Sequence, residues 1–420
     1  MILALILFFA TYVLMLVFSK FRPWIALCSA ALFVILGILP VAEVPGAVDW
    51  NVILMIGGTM GTVSFFIDSK MPNLLSDIII EKSPNLKMTT VWLSVFAGVI
   101  SAFVDNVATV LMIAPVALVA AKKLKVSPVP VLISIAVSSN LQGAATLVGD
   151  TTSILLGGYA NMNFLDFFWY KGAPGMFFVV EAGAFASVLI LLWLFRKETG
   201  KVEAGTRTEV KDYFPTVLMA ATVLLLIVAS FFPNRPAMTN GFICAGVFVI
   251  GLIRELLCRN TERVKTAFKE FDYQTILLLV GLFVVIAGIT KAGVIDAIAA
   301  LFVKIGGSSM FLTYTIIVWA SVAFSAFIDN IPYVATMLPV TAGIATAMGA
   351  DPTILFFGLL AGATLGGNLT PIGASANITA IGMLRKSGYE VKNRDFLRIG
   401  VPFTLAAVLC GYILIWVFWA

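Results

Sequence analysis

Two aspartate-asparagine pairs lie inside apolar segments of this sequence. Asp105-Asn106 falls in SAFVDNVATVLMIAPV, and Asp329-Asn330 falls in SAFIDNIPYVATMLPV. An ionised aspartate in hydrocarbon is costly, so each must face protein, water or a bound cation. Each could merely cap the helix that follows it, although Ser or Asn would do so without the cost of a charge. Because carboxylate and amide oxygens suit Na⁺ and an apolar setting favours a protonated carboxyl, we predict that these four residues bind the coupling ion, Na⁺ or H⁺.

Two polar clusters also interrupt long apolar segments, at 140–153 and 366–377. Glycine and proline there free backbone groups that lipid cannot satisfy, so such breaks are tolerated where they line a cavity. A simple helix kink is the alternative interpretation, but hydroxyl and amide side chains at matching positions favour an ion or substrate site. The predicted binding residues in the two breaks are Asn140, Thr146, Asp150, Thr151, Asn368, Thr370, Ser375 and Asn377.

Apolar segments long enough to span a membrane position these residues. Of the 420 residues, 60% are hydrophobic and only 12% are charged, with a mean hydropathy of +1.04, which predicts an all-α polytopic membrane protein. We predict spans at about 2–19, 23–40, 52–68, 174–195, 214–232, 238–256, 274–291 and 398–418, re-entrant hairpins at 89–121 and 310–345, and broken spans at 128–160 and 352–384.

The Lys and Arg residues are sorted between the predicted loops. If each hairpin returns to its own side, all but four of the 27 fall on one side, the four being Lys171, Arg235, Lys291 and Lys304. The positive-inside rule then places the N-terminus outside and the polar linker 196–213 in the cytoplasm. This sorting accounts for the net charge of +5 without a nucleic-acid partner. We expect an integral protein of the lipid bilayer, in the inner membrane of a prokaryotic cell.

The two halves of the chain repeat each other. At an offset of 224, Ser101–Val116 lies on Ser325–Val340 with half of the positions identical. We predict a first transmembrane repeat at 1–195, a cytoplasmic linker at 196–213 and a second repeat at 214–420. Because the span count puts the two hairpins on opposite sides, the repeats are predicted to be inverted, which is the architecture of secondary transporters.

The composition excludes several classes of site. The sequence has no histidine and its four cysteines are scattered singly, which argues against a His-dependent triad, a zinc site and a disulfide framework. A carboxylate dyad of Asp105 and Asp329 would still allow an intramembrane enzyme, but the asparagine beside each favours ion binding. No phosphate-binding loop occurs, so drive by ATP would need a separate ATPase subunit. We predict neither enzymatic activity nor a cofactor.

The paired SAF(V/I)DN hairpins and the segment GNLTPIGASANITAIGMLRKSGYE resemble the ion transporter superfamily of ArsB/NhaD permeases and citrate-type carriers. The resemblance covers nearly the whole chain and is strongest to the branch that contains the P protein. It implies two inverted repeats, a scaffold with a moving transport domain, an elevator-like movement and homodimers. It also implies binding roles for Asp105, Asn106, Thr146, Asp329, Asn330, Thr370, Ser375 and Asn377.

These observations together predict secondary active transport of a small inorganic ion or metalloid, coupled to H⁺ or Na⁺. Arsenite efflux and Na⁺/H⁺ exchange are the leading hypotheses for the cargo. A Na⁺-coupled carrier of citrate or dicarboxylates is the alternative within the superfamily, although its dicarboxylate carriers have Ser-Asn-Thr where this chain has acidic tips. An ion channel is the alternative of another class, but two opposed hairpins suit alternating access better. Glu181, inside a predicted span, fits a structural and a functional role equally well.

Overall fold

The computed structural model describes residues 1–123, 126–200, 207–232, 234–306 and 309–420, and it is almost entirely helical. The helices of the first half are Ile2–Val17 (α1), Arg22–Ile35 (α2), Val44–Ala47 (α3), Trp50–Asp68 (α4), Met71–Lys82 (α5), Leu86–Ser101 (α6), Asn106–Lys123 (α7), Val129–Gln142 (α8), Thr151–Tyr159 (α9) and Met176–Leu194 (α10). Two short strands, Trp169–Tyr170 (β1) and Ala173–Pro174 (β2), form an antiparallel hairpin before α10.

The helices of the second half follow in a similar order. They are Phe214–Ser230 (α11), Thr239–Leu257 (α12), Thr261–Glu270 (α13), Tyr273–Lys291 (α14), Val294–Gly306 (α15), Met310–Ser325 (α16), Asn330–Ala347 (α17), Thr353–Gly366 (α18), Ser375–Lys386 (α19) and Asn393–Trp419 (α20). Each helix from α16 to α19 begins 224 residues after its counterpart among α6 to α9. The repeat in the sequence is therefore also a repeat of structural elements.

Among the described residues, six helices are long and apolar enough to cross a membrane, namely α4, α10, α12, α14, α17 and α20. Helices α1 and α2 would make a seventh span if counted as one, but they are bent against each other by 117°. The segments predicted as hairpins form the helix pairs α6–α7 and α16–α17, and the predicted breaks separate α8 from α9 and α18 from α19. The prediction of an all-α polytopic membrane protein is confirmed.

The two halves make matching contacts where hairpin and break meet. The Thr146 hydroxyl donates to the carbonyl of Ala102, and the Thr370 hydroxyl donates to the carbonyl of Ala326, so each break is held against the tip of its own hairpin. A Cβ atom added at Gly149 would lie 2.8–2.9 Å from three backbone carbonyl oxygens, which makes glycine necessary for this close approach. The corresponding glycine of the second half is equally confined.

Helices α8 and α18 form the interior of the bundle and are buried along nearly their whole length. Helix α6 packs on α8, and its counterpart α16 packs on α18 in the same way. Around them α4 packs on α12, while α2 packs on α14, which are again corresponding pairs that join the two halves. Both breaks consequently lie in an interior to which both halves contribute.

The linker predicted at 196–213 runs beside the first half, and its residues 201–206 lie outside the described residues. Arg207 forms an ion pair of 2.7 Å with Glu81 of α5. This guanidinium holds the pKa of the Glu81 carboxyl below its usual value. Helix α5, like α13 and α15, falls in a segment for which the sequence predicted no helix. These helices are short, and α13 is amphipathic, so none has the apolar length that identifies a span.

Candidate functional site

A cavity of about 530 Å³ lies where the first hairpin tip and both breaks meet α4 and the start of α14. This volume is within the range of small-molecule sites. The predicted binding residues that line it are Asp105, Asn106, Asp150, Thr151, Asn330 and Ser375. They belong to α7, α9, α17 and α19 or to the caps of these helices, so both halves contribute to the cavity.

Asp105 ends the turn of the first hairpin, directly before α7. Its Oδ1 accepts hydrogen bonds from the backbone N–H groups of Val107 (2.9 Å) and Ala108 (3.1 Å), so the carboxylate does cap the helix. Its Oδ2 makes no hydrogen bond to a described residue, and Asp105 lines the cavity. The cap therefore accounts for one oxygen and leaves the other available to a cation or a proton.

Asp150 connects the break of the first half to the hairpin of the second. Its Oδ1 accepts from the backbone N–H of Thr151 at 2.8 Å, which caps α9. Its Oδ2 accepts from the Thr152 hydroxyl at 3.1 Å and from Asn330 Nδ2 at 3.3 Å. Since its counterpart in the repeat is Ala374, this carboxylate makes the two breaks chemically different.

A second, much smaller cavity of about 20 Å³ lies beside these two carboxylates. Asp105, Asp150, Thr59 and Thr151 line it together with several apolar side chains. A space of this size admits about one water molecule or one dehydrated small cation. The two aspartates thus share a confined space in addition to the larger cavity.

Asn140 and Asn368 form the centre of an amide network between α8 and the end of α18. Asn140 Nδ2 donates to the carbonyl of Thr364 (2.7 Å) and to Asn368 Oδ1 (3.1 Å), and Asn368 Nδ2 donates to the carbonyl of Val137 (2.9 Å). Asn106 Nδ2 in turn donates to Asn140 Oδ1 at 2.9 Å. Both central amides are completely buried, so they hold the two halves together behind the cavity.

Three further predicted residues are also directed into the protein. The hydroxyls of Thr146 and Thr370 donate hydrogen bonds to carbonyl groups of the hairpins, as described above. Asn377 Nδ2 donates to the carbonyls of Gly367 (3.1 Å) and Thr370 (3.2 Å), while its buried Oδ1 has no partner among the described residues. These residues shape the breaks and do not line the large cavity.

Asp329 differs from Asp105 in its surroundings. Its Oδ1 accepts from the backbone N–H of Ile331 at 3.3 Å, and its Oδ2 accepts from Arg22 Nη1 at 2.9 Å. It does not line the large cavity, although its neighbour Asn330 does. The structure therefore separates the two aspartates that the sequence presents as equivalent.

Sequence analysis missed two acidic residues of the large cavity, Glu270 and Asp272, at the end of α13 and the start of α14. Asp272 caps α14 by accepting from the Thr275 backbone N–H (3.1 Å) and hydroxyl (2.6 Å), and Glu270 accepts from the Ser64 hydroxyl at 3.2 Å. The repeat of Asp49-Trp50 as Asp272-Tyr273 was a signal that could have identified Asp272.

The large cavity is strongly acidic. Its lining includes Asp105, Asp150, Glu270 and Asp272, and no Lys or Arg among the described residues lines it. We call it the acidic cavity. A cleft lined by one sign of charge concentrates ions of the opposite sign, so this surface favours cations over free anions. In the described part of the chain, no group of three or more His, Cys, Asp or Glu residues is placed to hold a metal ion.

The chain is similar in sequence to proteins named as transporters. Two Mycobacterium tuberculosis proteins, each called an uncharacterized transporter, are 30% identical to it, in alignments that cover 99% of this chain and 98% of theirs. The P protein of Mus musculus is 24% identical, over 93% of this chain and 56% of its own.

Two solved transporter structures share the fold. The Alcanivorax borkumensis YdaH transporter superposes with a TM-score of 0.59 at 15% identity, covering 90% of this chain and 86% of its own. The Neisseria gonorrhoeae MtrF protein superposes with a TM-score of 0.50 at 14% identity, covering 87% and 80%. A family model described as citrate transporter, CitMHS, matches residues 12–362. The predicted resemblance to citrate-type carriers is thereby confirmed, and the chain is a membrane transporter that belongs to the CitMHS family.

Proposed function

We propose that this transporter is a secondary active carrier that moves a cation or a small neutral solute through the acidic cavity, coupled to H⁺ or Na⁺. The observation that supports this most directly is the lining of four carboxylates without a basic residue among the described residues. Na⁺/H⁺ exchange needs a carboxylate that binds either ion, and Asp105 offers one oxygen for that purpose. Arsenite, largely uncharged near neutral pH, would instead be held by the hydroxyl and amide groups of the cavity, such as Thr151, Asn330 and Ser375.

The proposed mechanism is alternating access by an elevator-like movement of the hairpins and breaks. The repeats 1–195 and 214–420, joined by the linker, would cross the membrane in opposite directions. One ion pair supports this topology, because it joins two segments predicted to share a side of the membrane. Lys171 pairs with Asp351 at 2.6 Å on the predicted outer side. Glu270 and Asp272 belong to a predicted cytoplasmic segment, so the acidic cavity would open to the cytoplasm in this conformation.

A Na⁺-coupled carrier of citrate or dicarboxylates is the second candidate, and the description of the matching family favours it. An organic polyanion would meet four carboxylates, and no guanidinium or ammonium group among the described residues lines the cavity to pair with it. Cations would therefore have to bind first and neutralise the site. An ion channel would need a continuous pore, whereas the halves here meet in a buried amide network. We further propose a homodimer in a prokaryotic inner membrane with the N-terminus outside.

Flux measurements in proteoliposomes test the proposal. We expect Na⁺ or arsenite to move against its concentration gradient when a pH gradient is imposed. Vesicles that contain the Asp105→Asn variant should show no more coupled flux than protein-free vesicles. Succinate and citrate are the competing cargoes, with and without Na⁺. Uptake of either anion that requires Na⁺ would favour the second candidate, and unitary currents in planar bilayers would favour a channel.

A further inference from the structure

A separate cavity of about 240 Å³ lies on the flank of the bundle between α6, α8, α10 and α20. It shares no lining residue with the acidic cavity. Phe185 and Val99, which are more than half exposed, line its outer side, so it opens toward the region where lipid would be. Among these apolar walls lie Ser138, Gln142 and Glu181. We call it the lateral cavity.

Glu181 is the one charged residue of α10, whose other residues from Met176 to Leu194 are apolar or small. No other described residue that lines the lateral cavity, whether from α6, α8, α10 or α20, carries a charge or titrates. No ion pair of Glu181 is found among the described residues. A carboxylate without a cationic partner at this depth is costly, whereas a neutral carboxylic acid is not.

Gln142 supplies the complementary group. Its side chain is only 5% exposed, and its Oε1 has no hydrogen-bond donor among the described residues. An unpaired buried acceptor costs about 1–3 kcal/mol, so a donor is expected in the cavity that this side chain lines. A protonated Glu181 carboxyl is such a donor, and an ionised one is not.

This arrangement is particular to the first half and adjoins the functional break. A Cβ atom added at Gly98 would lie 2.9 Å from Gln142 Cγ, so this glycine makes room for the glutamine. In the second half, Gly98 corresponds to Val322 and Gln142 corresponds to Gly366. The larger side chain is therefore on the other helix of the pair, and no amide is present. Gln142 ends α8, and the next residue, Gly143, packs directly against Asp150.

We propose that Glu181 and Gln142 form a proton-binding site in the lateral cavity, distinct from the acidic cavity, in which the protonated Glu181 carboxyl donates its hydrogen to Gln142 Oε1. Binding consists of proton uptake by the carboxylate, and release returns the proton to water. Loss of the proton leaves Gln142 Oε1 without a donor, one residue before Gly143, which packs against Asp150, so we expect occupancy of this site to influence the break. The site exists whether or not the cargo assignment above is correct.

Labelling with dicyclohexylcarbodiimide tests the proposal without any transport assay, because this membrane-soluble reagent modifies protonated carboxyl groups in apolar sites. The full-length protein is treated at a series of values from about pH 5.5 to about pH 8.5, and modified residues are identified by mass spectrometry. We expect modification of Glu181 at acid pH that falls about tenfold per pH unit above a midpoint. A Gln142→Leu variant should move this midpoint, because it removes both the acceptor of the protonated carboxyl and the amide N–H that can bind the ionised one.

Glu181→Gln is the control for folding, because its amide still donates to Gln142 and should preserve a monodisperse protein that is not labelled at this position. Failure to modify Glu181 at any pH in folded protein would overturn the proposal, as would labelling that is independent of pH. An unchanged midpoint in Gln142→Leu would overturn the assigned partner.

Discussion

Arg22 Nη1 lies 2.9 Å from Asp329 Oδ2, and this ion pair distinguishes the second hairpin from the first. Arg22 begins α2, and α1 contacts the same hairpin, since the Tyr12 hydroxyl donates to the carbonyl of Pro332 at 2.7 Å. Asp105 has no basic partner among the described residues. The Asp329 carboxylate is therefore bound to the first helices of the chain, while the Asp105 carboxylate faces the acidic cavity.

The Arg22–Asp329 pair should stabilise the fold modestly. Both side chains are partly exposed, at 22% and 17%, so we expect Arg22→Gln to lower the free energy of unfolding by about 1 kcal/mol. Thermal unfolding in detergent would measure this for Arg22→Gln, Asp329→Asn and the double variant. The double variant should cost less than the sum of the single ones, and strict additivity would show that the contact contributes nothing.

Asp105→Asn should retain the fold and lose coupled transport. The amide oxygen can still accept the caps from Val107 and Ala108, but the side chain can no longer exchange a proton. We expect coupled flux to fall by at least about tenfold, equivalent to about 1.4 kcal/mol, with an unchanged unfolding temperature. Asp329→Asn is the matched control, and its flux should fall less because Asp329 is paired with Arg22. Full activity of Asp105→Asn would mean that Asp105 is only a helix cap.

The sequence predicted the hairpins and breaks because charged or glycine-rich motifs inside long apolar runs have few structural solutions in lipid. It could not predict which polar side chains face the cavity. Thr146 and Ser375 have similar chemistry, yet the hydroxyl of Thr146 bonds to a carbonyl in the protein and Ser375 lines the cavity. Asp272 reaches the cavity of Asp105 although 167 positions separate them in the chain, so only tertiary packing brings them together.

The two hairpins should open to opposite sides of the membrane. Lys122 lies exposed at the base of the first hairpin, and Ser309 lies exposed at the base of the second. In a variant without the native cysteines, Lys122→Cys should react with an impermeant thiol reagent from the cytoplasmic face and Ser309→Cys from the outer face. Intact cells and inverted vesicles give the two accessibilities. Reaction of both from the same face would contradict the inverted repeat.

Asp212, at the end of the linker, should make stability sensitive to acid. Burial opposes its charge, but hydrogen bonds from Arg254 and Arg263 and from the Phe214 backbone N–H hold the pKa of the Asp212 carboxyl below its usual value. A carboxyl whose pKa is lower in the folded protein than in the unfolded chain, where it is about 3.9, stabilises the fold fully at pH values above about 3.9. This contribution is lost as the pH falls through the pKa that the group has in the folded protein. We expect Asp212→Asn to cost about 1–2 kcal/mol at neutral pH.

The difference between wild-type protein and Asp212→Asn should narrow as the pH is lowered from neutral to about 2, below the unfolded pKa of about 3.9, and chemical unfolding in detergent at both pH values would measure this. Lys265→Gln, which alters an exposed pair with Glu262 on α13, is the control and should have little effect. A cost that is equal at both pH values would show that the Asp212 carboxylate is not the stabilising group.

Cargo binding should reveal the chemistry of the acidic cavity. If Na⁺ sits on Asp105 with neighbouring oxygens, proton and sodium compete for the same carboxylate, so the apparent affinity for Na⁺ should fall as the pH is lowered, by up to about tenfold per pH unit. Arsenite held by neutral hydroxyl and amide groups should instead stabilise the protein against thermal unfolding, and this stabilisation should not depend on Na⁺. Calorimetry or thermal-shift titration with each ligand at several pH values separates these cases.

Asp105→Asn should abolish the competition between Na⁺ and H⁺ while leaving arsenite binding unchanged, because only the competition requires the carboxylate. Tight binding of citrate or succinate in the absence of Na⁺ would contradict both, since four carboxylates without a basic partner among the described residues should repel a free polyanion.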